Sequence, residues 1–181
     1  MAKVRSNIII DGIGGMLGNQ LVFKRDKAGR TILSVKPTFS ENRVFSAGQR
    51  AQQEAFREAQ LYAKTAKSNP VYARKAAGTA RSAYNVAIAD WFHPPEILEI
   101  DRSGWQGGPG QKIRVKAQDD GLVTQVTVTI TAADGALLES GDAVQADGLW
   151  WEYTSRAAAQ ADATLTVSAR DLPGHVTKRT G

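Results

Sequence analysis

The spacing of apolar residues changes character twice along this chain. Up to about residue 37 they come in short runs broken by glycine: Ile8, Ile9 and Ile10, then Asp11 with Gly12, Gly14, Gly15 and Gly18, then β-prone runs at 20–25 and 30–36. Asp26, Lys27, Ala28 and Gly29 between those runs predict a hairpin loop. Leu21 and Phe23 share one face of that hairpin, and Ile32 is the candidate to oppose them. Two strands rarely hold in water alone, so this hairpin has to pack on something.

From Ser46 the period becomes helical. Ser46 and Gln49 have capping-box spacing, and Ala51, Ala55, Phe56, Ala59, Tyr62, Ala63 and Ala66 follow at intervals of three and four. Asn69 and Pro70 offer an N-cap and a first helical position. A second stripe then runs through Ala73, Ala76, Ala77, Ala80, Tyr84, Ala87, Ile88 and Trp91 until His93, Pro94 and Pro95 stop it. The short connection predicts an antiparallel helical hairpin. Its alanine faces bury little area, so support is expected from the strands, the C-terminal half or another subunit.

Beyond Pro94 the pattern alternates. Ile113, Val115 and Ala117 fall on one face of a strand and Val126, Val128 and Ile130 on one face of another, with turn signals at Asp119, Asp120, Gly121 and at Asp134, Gly135. Residues 149–153 and Leu165, Val167, Ala169 supply further strands at sandwich-like spacing. The expected fold class is therefore α+β: residues 1–93 form a basic arm, β-hairpin and two-helix module, and residues 94–181 a C-terminal β-sandwich. The V-x-A-x-D strand endings at Val115 to Asp119 and Val167 to Asp171, together with Trp151 and Tyr153, resemble the bacterial immunoglobulin-like domains of surface, adhesive and phage structural proteins. That resemblance implies a spacer or interaction module and brings no catalytic set. The Gly-Asn hairpin followed by helices is similar to uncharacterised bacterial and phage-associated proteins.

Charge sharpens this division. Residues 1–90 hold fifteen Lys/Arg against six Asp/Glu, and residues 91–181 eight against twelve, within a net charge of +5. A basic half beside an acidic half suits an anionic partner or head-to-tail contact between copies, and also fits solvated faces. Lys24 and Arg25 sit near the hairpin tip. Arg43, Arg50, Arg57 and Lys64 recur every seven residues, which places them near one side of the first helix. That line could track phosphates, meet acidic residues such as Asp119, Asp120 and Asp142 of an adjacent sandwich, or be hydrated.

The chain contains no cysteine, so thiol chemistry and disulfides are excluded. His93 and His175 are the two histidines, without metal-ligand spacing. The glycines of the arm lack the Gly-Lys-Ser/Thr of a phosphate loop, and Asp119 and Asp120 read as turn residues because the calcium-loop pattern is absent. No cofactor, metal, catalytic residue or small-molecule substrate is expected, and the chain is read as a non-enzyme. Trp150 and Trp151 point to opposite strand faces, and an exposed one beside Trp105 is a possible aromatic contact with a sugar or partner. The apolar run at 8–10 is short for a signal peptide and nothing approaches the roughly 20 residues of a membrane span, so a cytoplasmic location is expected unless release is leaderless or by lysis.

The leading expectation is a structural subunit that assembles with itself into a filament, sheath or virion-like particle, using Ile8, Ile9, Ile10, Leu17, Leu21, Phe23 and Ile32 as apolar interface. Glycine-rich arms of this kind can add a strand to a neighbour. The alternatives are nucleic-acid binding through the basic half and carbohydrate or surface adhesion through the sandwich.

Overall fold

The computed structural model describes residues 13–26, 28–40, 42–159 and 163–181, and the backbone of one further strand, β1, at Ala2–Val4. Next come β2 (Gly15–Leu17), β3 (Leu21–Arg25) and β4 (Thr31–Val35), joined as an antiparallel sheet in the order β1-β4-β3-β2. The β3–β4 turn forms because the Asp26 carboxylate accepts the Ala28 and Arg30 backbone N–H groups, each at 2.9 Å, and because Gly29 takes φ 75°. This turn sets the register, pairing Phe23 with Leu33 and Lys24 with Ile32. The expectation for Ile32 is thereby corrected: it lies on the sheet face opposite Leu21 and Phe23, because register moves in steps that flip every side chain.

Helix α1 (Ala47–Ala66) starts on the capping box expected at Ser46 and Gln49. Asn69 caps α2 (Pro70–Ala76), but the anticipated continuation to Trp91 is interrupted. Ala77 turns extended, Gly78 adopts φ 72°, and Ser82 caps a separate helix, α3 (Ala83–Trp91), by accepting the Asn85 N–H. An alanine stripe has high helical propensity yet little area to bury, so nothing in it outweighs a glycine and two capping hydroxyls. Ala63, Tyr72, Val86 and Ala87 form the helical core, with Tyr62, Tyr84 and Leu172 against it.

The remaining strands are β5 (Glu96–Asp101), β6 (Lys112–Gln118), β7 (Val123–Thr131), β8 (Leu137–Asp142), β9 (Val144–Gln145), β10 (Trp150–Thr154), β11 (Thr164–Asp171) and β12 (Val176–Thr180). They make two antiparallel sheets, β5-β6-β10-β9 and β12-β11-β7-β8. The alternating residues of both sheets meet in one core: Ile113, Val115, Trp151 and Tyr153 from the first, and Val126, Val128, Ile130, Leu165 and Val167 from the second. Each such fully buried aliphatic side chain contributes roughly 1.5–3 kcal/mol. A bulge at Leu98 lets both Ile97 and Ile100 reach this core, and Arg179 of β12 donates to the carbonyls of Ile97 and Leu98 at 2.8 and 2.7 Å. One guanidinium thus satisfies the bulged backbone of β5 and ties the two sheets together.

Candidate functional site

The N-terminal sheet is poorly covered. Among its described residues Phe23 and Thr31 are buried, Leu21 and Ile32 are half-buried, and Met16, Leu17 and Val35 are 58%, 60% and 75% exposed. Leu17 pairs with Leu21, and Leu21 with Val35, so these three form an apolar row on the face that carries Phe23. Among the described residues β2 is paired only with β3 and ends the sheet, so its outer N–H and C=O groups have no described strand partner. Gly18 and Asn19, both at φ 56°, make the turn from β2 into β3. Ile8, Ile9 and Ile10 lie outside the described residues.

The basic residues separate more than their spacing suggests. Arg43 precedes α1 instead of lying on it, and its guanidinium sits over the rings of Phe39 and Phe45 at 5.8 and 4.7 Å. Arg57 pairs with Glu54 at 2.7 Å on the exposed side of the helix, where Arg50 and Lys64 are also exposed. Lys24 and Arg25 are exposed at the hairpin end, with Arg25 Nε donating to the Gly29 carbonyl. The first half of α1 has little cover, and a shallow depression of about 380 Å³ runs between Arg43, Phe45 and Phe56.

Of the acidic residues, Asp142 is a surface group whose carboxyl is held below its usual range by the Thr127 hydroxyl and the Gln125 amide. Asp120 is exposed, contacts His93 Nδ1 at 2.6 Å and accepts Lys75 on its backbone carbonyl. Asp119 departs from its expected role as a surface charge, since its Oδ1 is buried and has no donor. Trp105 and Trp151 are core residues. Trp150 faces outward beneath Arg114 and Lys116, whose charged groups lie 4.6 and 5.8 Å from its ring centre. The pairing of Trp105 with an exposed tryptophan is therefore not formed.

A cluster that sequence reasoning passed over lies where the helices meet the sandwich. The 83, 86, 87, 90 spacing on α3 places Asp90 on the buried stripe, with no exposed surface. Tyr72 of α2 donates to Asp90 Oδ2 at 2.5 Å, and Tyr62 of α1 lies 2.6 Å from the Tyr72 oxygen. Because Tyr72 spends its proton on Asp90, Tyr62 is the donor in that second bond. The two V-x-A-x-D endings carry the inward phase one step past β6 and to the end of β11, delivering Asp119 and Asp171 to the same place. Asp171 accepts the Gly174 and His175 N–H groups at 2.7 and 2.6 Å and meets His175 Nδ1 at 3.0 Å, while the His175 ring packs edge-on against Trp91. Burial is the main cause that pushes the Asp90 carboxyl up to about 6, the Tyr72 bond opposing and Asp119 and Asp171 reinforcing. Burial also raises Asp119, against the Gly121 N–H it accepts, and raises the phenols of Tyr62 and Tyr72. The signal for this cluster was an aspartate in phase with apolar neighbours on three separate elements.

Among the described residues no group of three or more His, Cys, Asp or Glu side chains is arranged to hold a metal, and no helix is long and apolar enough to cross a membrane. No protein family description matches the sequence, and no curated protein matches it. Solved structures similar to it include CopC from Methylosinus trichosporium OB3b (15% identity, 48% of this chain and 87% of that one, TM-score 0.38). Others are a conjugative transposon lipoprotein from Bacteroides eggerthii DSM 20697 (13%, 48% and 92%, TM-score 0.26) and a lipoprotein from Bacteroides thetaiotaomicron (17%, 49% and 76%, TM-score 0.27).

Proposed function

We propose that this protein is a non-enzymatic structural subunit that assembles with copies of itself through its N-terminal sheet, with an immunoglobulin-like sandwich as the second contact surface. The observation that carries the reading is the exposed sheet: among the described residues β2 is an edge strand with Met16 and Leu17 exposed, and Val35 of β4 is exposed in the same apolar row as Leu17. Long-term exposure of such an edge invites pairing with another chain. The occupant is a second copy because the chain carries its own counter-charge, a basic first half and an acidic second half. The exposed edge strand β8, with Leu137 65% exposed at its start and Asp142 exposed at its end, offers apolar and acidic groups of the kind that would meet Leu17, Lys24 and Arg25.

Light scattering coupled to size exclusion, with negative-stain microscopy of the same sample before and after nuclease treatment, tests this. Regular particles much larger than one chain are expected, and Leu17→Asp and Val35→Asp should each reduce them to monomers without lowering the thermal midpoint. A wild-type monomer at high concentration overturns the proposal. So does a monomer carrying nuclease-sensitive absorbance at 260 nm, which would turn the basic half into a nucleic-acid surface.

A further inference from the structure

We infer that Asp90 and Asp119 share one proton across the junction of helices and sandwich, forming a latch that closes in mild acid and loosens towards neutral pH. The geometry leaves two oxygens unexplained. Asp90 Oδ1 and Asp119 Oδ1 are both buried without a donor, although Asp90 Oδ2 and Asp119 Oδ2 are satisfied by Tyr72 and by the Gly121 N–H. The two carboxyls converge on Gly121, whose N–H is accepted by Asp119 Oδ2 at 2.8 Å and against whose α-carbon both Asp90 oxygens rest. Two carboxylates so placed would repel and leave two buried lone pairs open; one proton between them removes a charge and satisfies both.

The site is built to hold the pair at short range. A Cβ at Gly121 would lie 2.5 Å from both Asp90 oxygens, so the aspartate rests directly on the β6–β7 turn in space that glycine alone leaves free. Every element packed here bears on the titration. From α1 comes the Tyr62 phenol, and from α2 the Tyr72 phenol and the Lys75 ammonium on the Asp120 carbonyl. After α3 stands His93, bound to the Asp120 carboxylate, and from the end of β11 come Asp171 and its partner His175. No cation among these touches Asp90 directly, so the proton is its means of neutralisation.

The sign follows from linkage. Asp90 binds its proton more tightly folded, at about 6, than at its ordinary 3.8. The stabilisation is therefore complete below the unfolded value and is lost as pH rises through about 6. Between about pH 5 and about pH 7.5 the unfolding equilibrium constant should rise about tenfold from Asp90 alone.

The test uses the full chain. Denaturant unfolding is measured at both pH values for the wild type and Asp90→Asn, alongside a carbon-detected NMR titration of the aspartate carboxyls. Expected are a coupled pair with one member titrating well above the ordinary aspartate range, and loss of about tenfold of the pH dependence in the variant. The difference between the two proteins, read together with the carboxyl titration, reports on the pair. If Asp90→Asn does not fold, Asp119→Asn supplies the same comparison. Independent titration of both groups in the ordinary range, or identical pH dependence in wild type and variant, overturns the latch. Full recovery of stability at the higher pH on adding calcium, reversed by chelator, overturns it in favour of a cation between the carboxyls.

Discussion

Tyr72 is the residue on which the junction turns, since its one hydroxyl accepts from Tyr62 and donates to Asp90. Tyr72→Phe keeps the ring and its edge-on contact with Tyr62 but strips Asp90 Oδ2 of its one donor among the described residues. We expect a loss of about 1–3 kcal/mol in denaturant unfolding, the usual cost of orphaning a buried acceptor. The Asp90 titration should also move upward, because the Tyr72 bond is what opposes its rise. At this scale the sequence was partly legible. Asp119 and Asp171 stood in plain view within V-x-A-x-D endings, and Asp90 within an apolar stripe. Turn chemistry explains an aspartate after a strand equally well, so chain spacing alone could not distinguish a solvated turn from a buried carboxyl.

Among elements, α1 and the N-terminal sheet share one condition: local signals define them better than packing does. The first half of α1 is mostly exposed, with Phe56 44% exposed even though its ring stacks on Phe92 at 6.4 Å. Ser46→Ala, which removes the hydroxyl that accepts the Gln49 N–H and leaves the Ser46 N–H on Gln49 Oε1, should therefore cost about 1 kcal/mol locally. It should appear in hydrogen exchange as fraying of the first turns of α1, with little change in the global midpoint. The start of α1 was readable because a capping box is a local device. The break between α2 and α3 was not, because Gly78 competes with an alanine stripe and the winner depends on where Tyr72 and Asp90 must meet. Ile32 was misplaced for a similar reason: the face of a residue follows from register, and the Asp26 turn sets that register.

For the whole molecule, charge polarity and apolar exposure act together. If copies join basic half to acidic half, raising salt from roughly 0.05 M to roughly 0.5 M shortens the screening length several-fold. The concentration needed for assembly should then rise several-fold by light scattering, while the strand contact at Leu17 keeps assembly from vanishing. Mild acid should act in the other direction on the junction, tightening the helices against the sandwich as Asp90 and Asp119 hold their shared proton.

The sequence by itself determined the classes of element, the cap at Ser46, the hairpin turn at Asp26 and the inward phase of the sandwich strands, since each depends on residues within a few positions of one another. It also carried the charge polarity, which is a property of composition. Tertiary structure alone decided that Trp105 and Trp151 are buried while Trp150 is not, that Arg43 stacks on Phe39 and Phe45 ahead of α1, and that Asp90, Asp119 and Tyr72 converge. These depend on contacts between residues far apart in the chain, where desolvation and approach distance set the chemistry and no local pattern records them.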